Sequence, residues 1–366
     1  SLNGRIGITL FGNTDAIFIK NLVIKYNVIN VSTITTRGIY VNGQASGVAD
    51  SLIVENCKIG DISFAPAYSV SVTGSSGSSL YASKVHIRNN EFFGILRSVY
   101  FFYGGAAGTT SEISGNLFTA PYAPPSANVV WGILFNTYNG TINIFNNKLN
   151  QLKSVTTGTE GMYGIGTLGG QPLAVMNIFN NFLGGDFQHT GTGTPAGIDV
   201  ISFQDNIAQA NVYHNSIVLN NMTKTATSRM TGVRWGGTAN VTLRNNVIIN
   251  DKNASVAYVL YSAGGTFTSN YNDLYVSGAS ANIGYAGGIV RQSFQTWQDS
   301  TGQDANSVNV AAPFTAALDF HIPDGTITLL ESGGTPIALV TTDIDGQLRN
   351  ASTPDIGADE FAGITP

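Results

Sequence analysis

The hydrophobic pattern of the chain is a two-residue alternation broken at regular intervals by asparagine. In Thr141-Ile142-Asn143-Ile144-Phe145-Asn146-Asn147-Lys148-Leu149, Ile142 and Ile144 alternate with outward-reading neighbours. Two asparagines then bend the chain, and Leu149 returns to the buried side. The device recurs at Val85–Phe92, Met176–Leu183 and Val241–Ile248, and looser copies end on Asn27, Asn56, Asn116, Asn215 and Asn272. These nine corner asparagines follow one another at steps of 26 to 34 residues. Self-similarity at that period marks a stacked repeat. Because the repeated unit has strand periodicity, the prediction is an all-β fold: a single-stranded right-handed parallel β-helix of about nine coils.

With each corner asparagine as origin, two files of residues read as inward. Three positions before it stand Ile24, Ile53, Ile87, Ile113, Ile144, Ile178, Val212, Leu243 and Ser269. Two positions after it stand Ile29, Lys58, Phe92, Phe118, Leu149, Leu183, Ile217, Ile248 and Leu274. Stacked coils would place equivalent residues about 4.8 Å apart, so the asparagines should form an amide ladder that satisfies the backbone at the corner. A further strand in each coil is announced by Gly-Ile or Gly-Val, as at Gly38, Gly132, Gly164, Gly197 and Gly232. Ser- and Thr-rich loops are expected at Ala120–Asn128, Gln151–Gly161, Gly184–Pro195 and Met222–Thr231. The pattern weakens after Tyr275. Ser293 then reads as the N-cap of a short helix carrying Phe294 and Trp297 on one face. Residues 1–275 are thus expected to form the β-helix, and 276–366 its last coil, short helix and cap.

Composition narrows the function classes. Charged residues are 11% of the chain, against roughly a quarter in ordinary soluble domains, and Gly is 43 of 366. A net charge of −5 argues against a nucleic-acid partner, which would call for a basic face. No apolar run is long enough to span a membrane. The single cysteine, Cys57, supports neither a disulfide framework nor a cysteine metal site and reads as a buried free thiol. Ser1 leads directly into the alternating stretch Arg5–Leu10, as if the chain were a piece of something longer.

The C-terminal third carries specific motifs: Trp297-Gln298, Thr301-Gly302-Gln303-Asp304-Ala305-Asn306-Ser307, and Asp343-Ile344-Asp345-Gly346-Gln347-Leu348-Arg349 through Pro354-Asp355-Ile356-Gly357-Ala358-Asp359-Glu360. With these the chain resembles the right-handed parallel β-helix surface proteins, of pectate-lyase-like fold, that bacteria secrete. The resemblance implies secretion, an extracellular and cell-surface location, and a modular parent. It fixes no activity, since the fold hosts polysaccharide lyases, glycoside hydrolases and non-catalytic proteins.

Outward columns supply the candidate sites. Phe145, Phe179 and Tyr213 form an aromatic stripe beside an amide stripe of Asn143, Asn177 and Asn211, flanked by Arg88 and Arg244. Aromatic faces beside amides suit the apolar faces and hydroxyl edges of a sugar, so polysaccharide or a cell-surface glycan is the expected partner. A long loop folded over the stripe would instead make it covered core. Asp199 and Arg234, on adjacent coils, are expected to pair. No outward column holds the paired carboxylates a glycosidase needs. A polysaccharide-degrading enzyme remains the alternative, with Asp186, Asp199, Asp205 and His214 as its weak catalytic candidates and His189 nearby; such aspartates could hold Ca²⁺ against a uronate. Asp343 and Asp345 resemble half of a calcium loop, though a turn closed by Arg349 on Asp345 or Asp355 explains them as well. The leading expectation is a non-catalytic, secreted surface or matrix protein with an adhesive or glycan-contacting role. Its unfinished first coil leaves strand edges that would allow end-to-end self-association.

Overall fold

The computed structural model describes residues 6–11, 17–24, 36–42, 51–60, 66–74, 84–94, 96–119, 129–154, 161–168, 174–189, 197–204, 207–219, 229–252 and 256–366. It is a parallel β-solenoid built from three sheets of 11, 9 and 9 strands, here called A, B and C. One circuit shows the logic. Val130–Tyr138 lies in sheet A, Thr141–Phe145 in sheet B and Lys148–Ser154 in sheet C, and the chain then returns to sheet A at Met162–Thr167, beside Val130–Tyr138. Neighbouring strands in a sheet are therefore three elements apart in sequence, which is why parallel pairing is possible; the exception is the antiparallel pair Asn282–Ala286 and Ile289–Arg291 that ends sheet A. Ile144, Ile178 and Val212 fall in register and are fully buried, with Ile133, Ile165 and Ile201 facing them from sheet A. Each such side chain contributes roughly 1.5–3 kcal/mol by leaving water.

The asparagine ladder occupies the corner between sheets B and C. Asn90, Asn116, Asn147, Asn181, Asn215, Asn246 and Asn272 each use Oδ1 to accept from the residue one coil earlier. For Asn181 the donors are the backbone N–H and Nδ2 of Asn147, at 2.9 and 3.0 Å, and its own Nδ2 donates to the carbonyls of Ile144 and Phe179. The residue before each ladder position takes the left-handed conformation that turns the corner: Asn89, Gly115, Asn146, Asn180, His214, Asn245 and Tyr271 all have φ between 47° and 62°. Asparagine tolerates this region better than most residues, which explains the paired asparagines in the sequence.

Two expectations for the early coils need correction. Asn56 pairs with the left-handed Asn89, so Cys57 rather than Asn56 occupies the ladder position. Its thiol donates to the carbonyls of Ile19 and Glu55, the same places in the coil that an amide would reach. Inward residues there are Leu52 and Val54, not Ile53, and Lys58 points outward to Glu91 at 2.7 Å. Since the side-chain period is two, this one-residue slip reverses the faces. The equivalent first corner is Asn21-Leu22, while Asn27 lies outside the described residues.

The ladder ends on Asp304 and Ser307. Ser307 Oγ accepts from the Asn272 backbone N–H, and Asp304 Oδ1 accepts from Asn272 Nδ2, Ser269 and Ser307. Helix α1 (Phe294–Thr301) is capped by Ser293, as the sequence predicts, and closes the end of the stack with Trp297. The indole N–H of Trp297 donates to Asp304 Oδ2 at 2.8 Å, and its ring lies where a Cβ on Gly284 would be 2.3 Å away. The rest of the C-terminal segment runs along the outside of sheet C. Its Phe320, Ile344 and Ala358 pack on Phe182 and Val218, and its Ile322, Leu330, Ile356 and Phe361 on Val247 and Ile249. Residues 302–366 hold only isolated β-bridges, and carboxylates take the place of a sheet as backbone acceptors. Asp343 accepts from the N–H groups of Asp345, Gln347 and Glu360, and Asp355 from those of Ser332 and Phe361.

Candidate functional site

The outer face of sheet B carries the columns expected from the sequence. Asn143, Asn177 and Asn211 are in register, as are Phe145, Phe179 and Tyr213. The amides form a chain: Asn211 donates to Asn177 and Asn177 to Asn143, both at 2.8 Å, while Tyr213 Oη donates to Asn211 at 2.9 Å. Phe145 and Phe179 stack with centroids 4.8 Å apart and planes within 2° of parallel. Phe145, Tyr213, Asn143 and Asn211 are half-buried; Phe179 and Asn177, between them, are buried. Toward the N-terminal side the amide file passes into Glu112, which Arg88 contacts at 2.7 Å and His86 at 3.4 Å. Burial alone would raise the Glu112 carboxyl, but hydrogen bonds from His86, Ser114 and Arg88 hold it down at about 2.

A second surface, on sheet A, escaped the sequence reading. Arg37, Tyr68 and Arg97 are in register, and so are Tyr40, Ser71 and Tyr100. Arg37 sits 4.0 Å from the Tyr40 ring and 5.5 Å from that of Tyr68, and Arg97 lies 5.7 Å from Tyr68 and 4.8 Å from Tyr100. Rings and guanidiniums thus alternate, each contact an attraction between cation and ring face. Phe102 extends the run from Tyr100, and Tyr103 adjoins Phe102. Burial raises the Tyr100 phenol, against the lowering effect of Arg97. Among the described residues neither arginine is within ion-pair distance of a carboxylate. The signal in the sequence was the spacing of Arg37, Tyr68 and Arg97, which becomes visible only once the sheet A register is known. Further along the same sheet, Trp131 stacks on Tyr163 at 4.3 Å, but both are buried.

The three catalytic candidates among the described residues are not brought together. Asp186 is on sheet C, Asp199 on sheet A, His214 at the corner between B and C, and Asp205 lies outside the described residues. Asp199 is fully buried and is held by Arg229 through two contacts at 2.8 and 3.2 Å, with Ser202 as a further donor. Its expected partner Arg234 is in register with Ser202 instead, because Val200 rather than Gly197 matches Gly164 and Gly232. His214 is sealed under the C-terminal segment, with Nδ1 3.3 Å from the Gly357 carbonyl and Nε2 2.7 Å from Asn245 Nδ2. Burial, then the charge of Arg349, pushes its imidazole well below the usual range. Asp186 accepts from Gln188 on its own strand, in a stretch expected to be loop. His189 is buried, and burial lowers its imidazole.

In the C-terminal segment Asp343 and Asp345 separate in role. Asp343 is fully buried with both oxygens engaged by backbone N–H groups, so it is a turn former rather than a ligand. Asp345 faces outward and meets His321 Nε2 at 2.7 Å. His321, Asp345 and Asp359 each offer a ligand atom within 4.8 Å of the others. Arg349 pairs with Glu360 at 3.0 Å, not with Asp345 or Asp355.

The fold defines the class: an all-β parallel solenoid with a stacked asparagine corner and a docked C-terminal segment. No protein-family model, curated protein or solved structure matches the chain.

Proposed function

We propose that the protein is a non-catalytic, secreted β-solenoid of the cell surface or matrix that contacts polysaccharide through the outer faces of its sheets. The observation that carries this reading is the alternating run Tyr40, Arg37, Tyr68, Arg97 and Tyr100 on sheet A. Stacking on tyrosine uses the faces of the guanidiniums and leaves in-plane N–H donors for the hydroxyls or carboxylates of a glycan. The half-buried Tyr40 and Tyr100 supply apolar faces at low conformational cost and phenol groups for hydrogen bonds, while Tyr68, buried beside Phe93 and Leu96, holds the two guanidiniums in place. The sheet B stripe of Phe145, Phe179, Tyr213 and the three asparagines offers the same chemistry without the charge.

The test is calorimetric titration of the full chain with sodium polygalacturonate and with neutral dextran. Binding to either is expected, and Tyr100→Ala with Arg97→Gln should weaken polygalacturonate binding about tenfold or more. Absence of binding to both polymers, or binding indifferent to this pair and to Phe145→Ala, would contradict the reading. Release of an unsaturated product from polygalacturonate would instead favour a lyase.

A further inference from the structure

We propose that His321, Asp345 and Asp359 bind one divalent transition-metal ion of the Zn²⁺ type, which fastens the C-terminal segment to the flank of the solenoid. The three donors come from separate stretches of a segment that has no helix or strand there, and their ligand atoms already converge within 4.8 Å. A hydrogen-bonded carboxylate stands behind the imidazole: Asp319 contacts Nδ1, while Nε2 faces Asp345. That is the outer-sphere arrangement that fixes the tautomer of a metal-binding histidine and raises its basicity. The ring is also seated from outside the cluster, edge-on against Phe182 with centroids 4.8 Å apart, and Phe182 is a fully buried residue of sheet C.

Charge points the same way. Three carboxylates surround one imidazole, and among the described residues Asp319, Asp345 and Asp359 have no Lys or Arg partner. Asp359 is only 6% exposed and its Oδ2 accepts from the Ile322 N–H at 2.7 Å, so the carboxylate is held in place while no Lys or Arg balances its charge. An imidazole nitrogen with two carboxylate oxygens suits Zn²⁺, whereas Ca²⁺ takes six to eight oxygens, so the donor set differs from the calcium half-loop read in the sequence. The ion takes the Nε2 lone pair, so any proton held on Nε2 is released to solvent as it enters while Nδ1 keeps its hydrogen bond to Asp319. The role is structural: the clip joins residues 319–321, 345 and 359 over Phe182.

The experiment uses the full chain, stripped with EDTA and titrated with ZnCl₂ alone or CaCl₂ alone, read by calorimetry, metal content and melting temperature. One Zn²⁺ per chain is expected, with a raised melting temperature. Asp345→Asn and His321→Ala should each weaken uptake tenfold or more, and Asp319→Asn by about 10–100-fold through loss of positioning. His86→Gln, which alters the histidine beside Glu112, should leave uptake unchanged. The site is overturned if Zn²⁺ does not bind, if binding survives both Asp345→Asn and His321→Ala, if it is lost in His86→Gln instead, or if Ca²⁺ binds as tightly. Asp345 is largely solvent-facing, so its variant folds and reports even if His321→Ala does not.

Discussion

Each ladder asparagine does two jobs, and the consequences of removing one are correspondingly large. In Asn181→Ala the buried backbone N–H of Asn147 loses its acceptor, and the carbonyls of Ile144 and Phe179 lose a donor. We expect a loss of about 3 kcal/mol or more, seen as a lower urea midpoint at unchanged slope. Cys57 is the opposite case. Its thiol makes weak versions of the same contacts, so Cys57→Asn should extend the ladder by one rung and gain about 1 kcal/mol in the same measurement. The ladder was legible from Asn90 onward because paired asparagines mark both turn residue and rung at Asn90, Asn147, Asn181 and Asn246, and the alternation keeps its step at Asn116, Asn215 and Asn272, where Gly115, His214 and Tyr271 take the turn. It was misread at Asn56, because there a single asparagine takes the turn and cysteine the rung. Nothing in the residue types alone distinguishes those two assignments; the outward ion pair of Lys58 with Glu91 does.

At the scale of elements, the two closing devices behave differently. Helix α1 was readable from Ser293 and the Phe294 and Trp297 spacing, and it covers the end of the stack. Gly284→Ala would drive a methyl group into the Trp297 ring and should expose the indole, giving a red-shifted Trp emission and a lowered melting temperature. The segment beyond Ser307 was not readable in detail, since it has no periodicity: its order comes from carboxylates gripping backbone N–H groups and from contacts to Asn180, His214 and Asn245 at the corner. Its docking carries a pH dependence with two opposing parts. The folded imidazole of His214 lies below its unfolded value near 6.5, so the unfolded chain takes up the proton first and stability falls as pH drops below about 6.5. Burial raises Asp355 to about 7 from its ordinary 3.8, so the folded chain takes up that proton first and stability rises as pH falls from 7 toward 4. Urea midpoints at pH 5 and pH 7.5 should therefore differ in opposite senses in two variants. His214→Gln becomes more stable at pH 5, and Asp355→Asn less stable.

For the whole molecule, the register organises both the core and the surfaces. The inward files were visible as alternation, because a buried file must be apolar in every coil. The outer files on sheet A were not, because Arg37, Tyr68 and Arg97 become neighbours only through a register that the glycines did not mark. The same holds for the catalytic candidates, whose separation onto different sheets follows from strand boundaries at Gly184–His189 that the sequence read as loop. Every surface described here rests on coils that stack in step. The most direct test is the distance between spin labels at Arg88→Cys and Arg244→Cys in a Cys57→Ser background, measured by pulsed dipolar spectroscopy. Those positions belong to one file, through Ser114, Phe145, Phe179 and Tyr213. Five coil steps of ~4.8 Å predict a single narrow distribution near 24 Å between backbones, widened by the label arms. A broad distribution, or a separation far beyond that span, would contradict the stacked register.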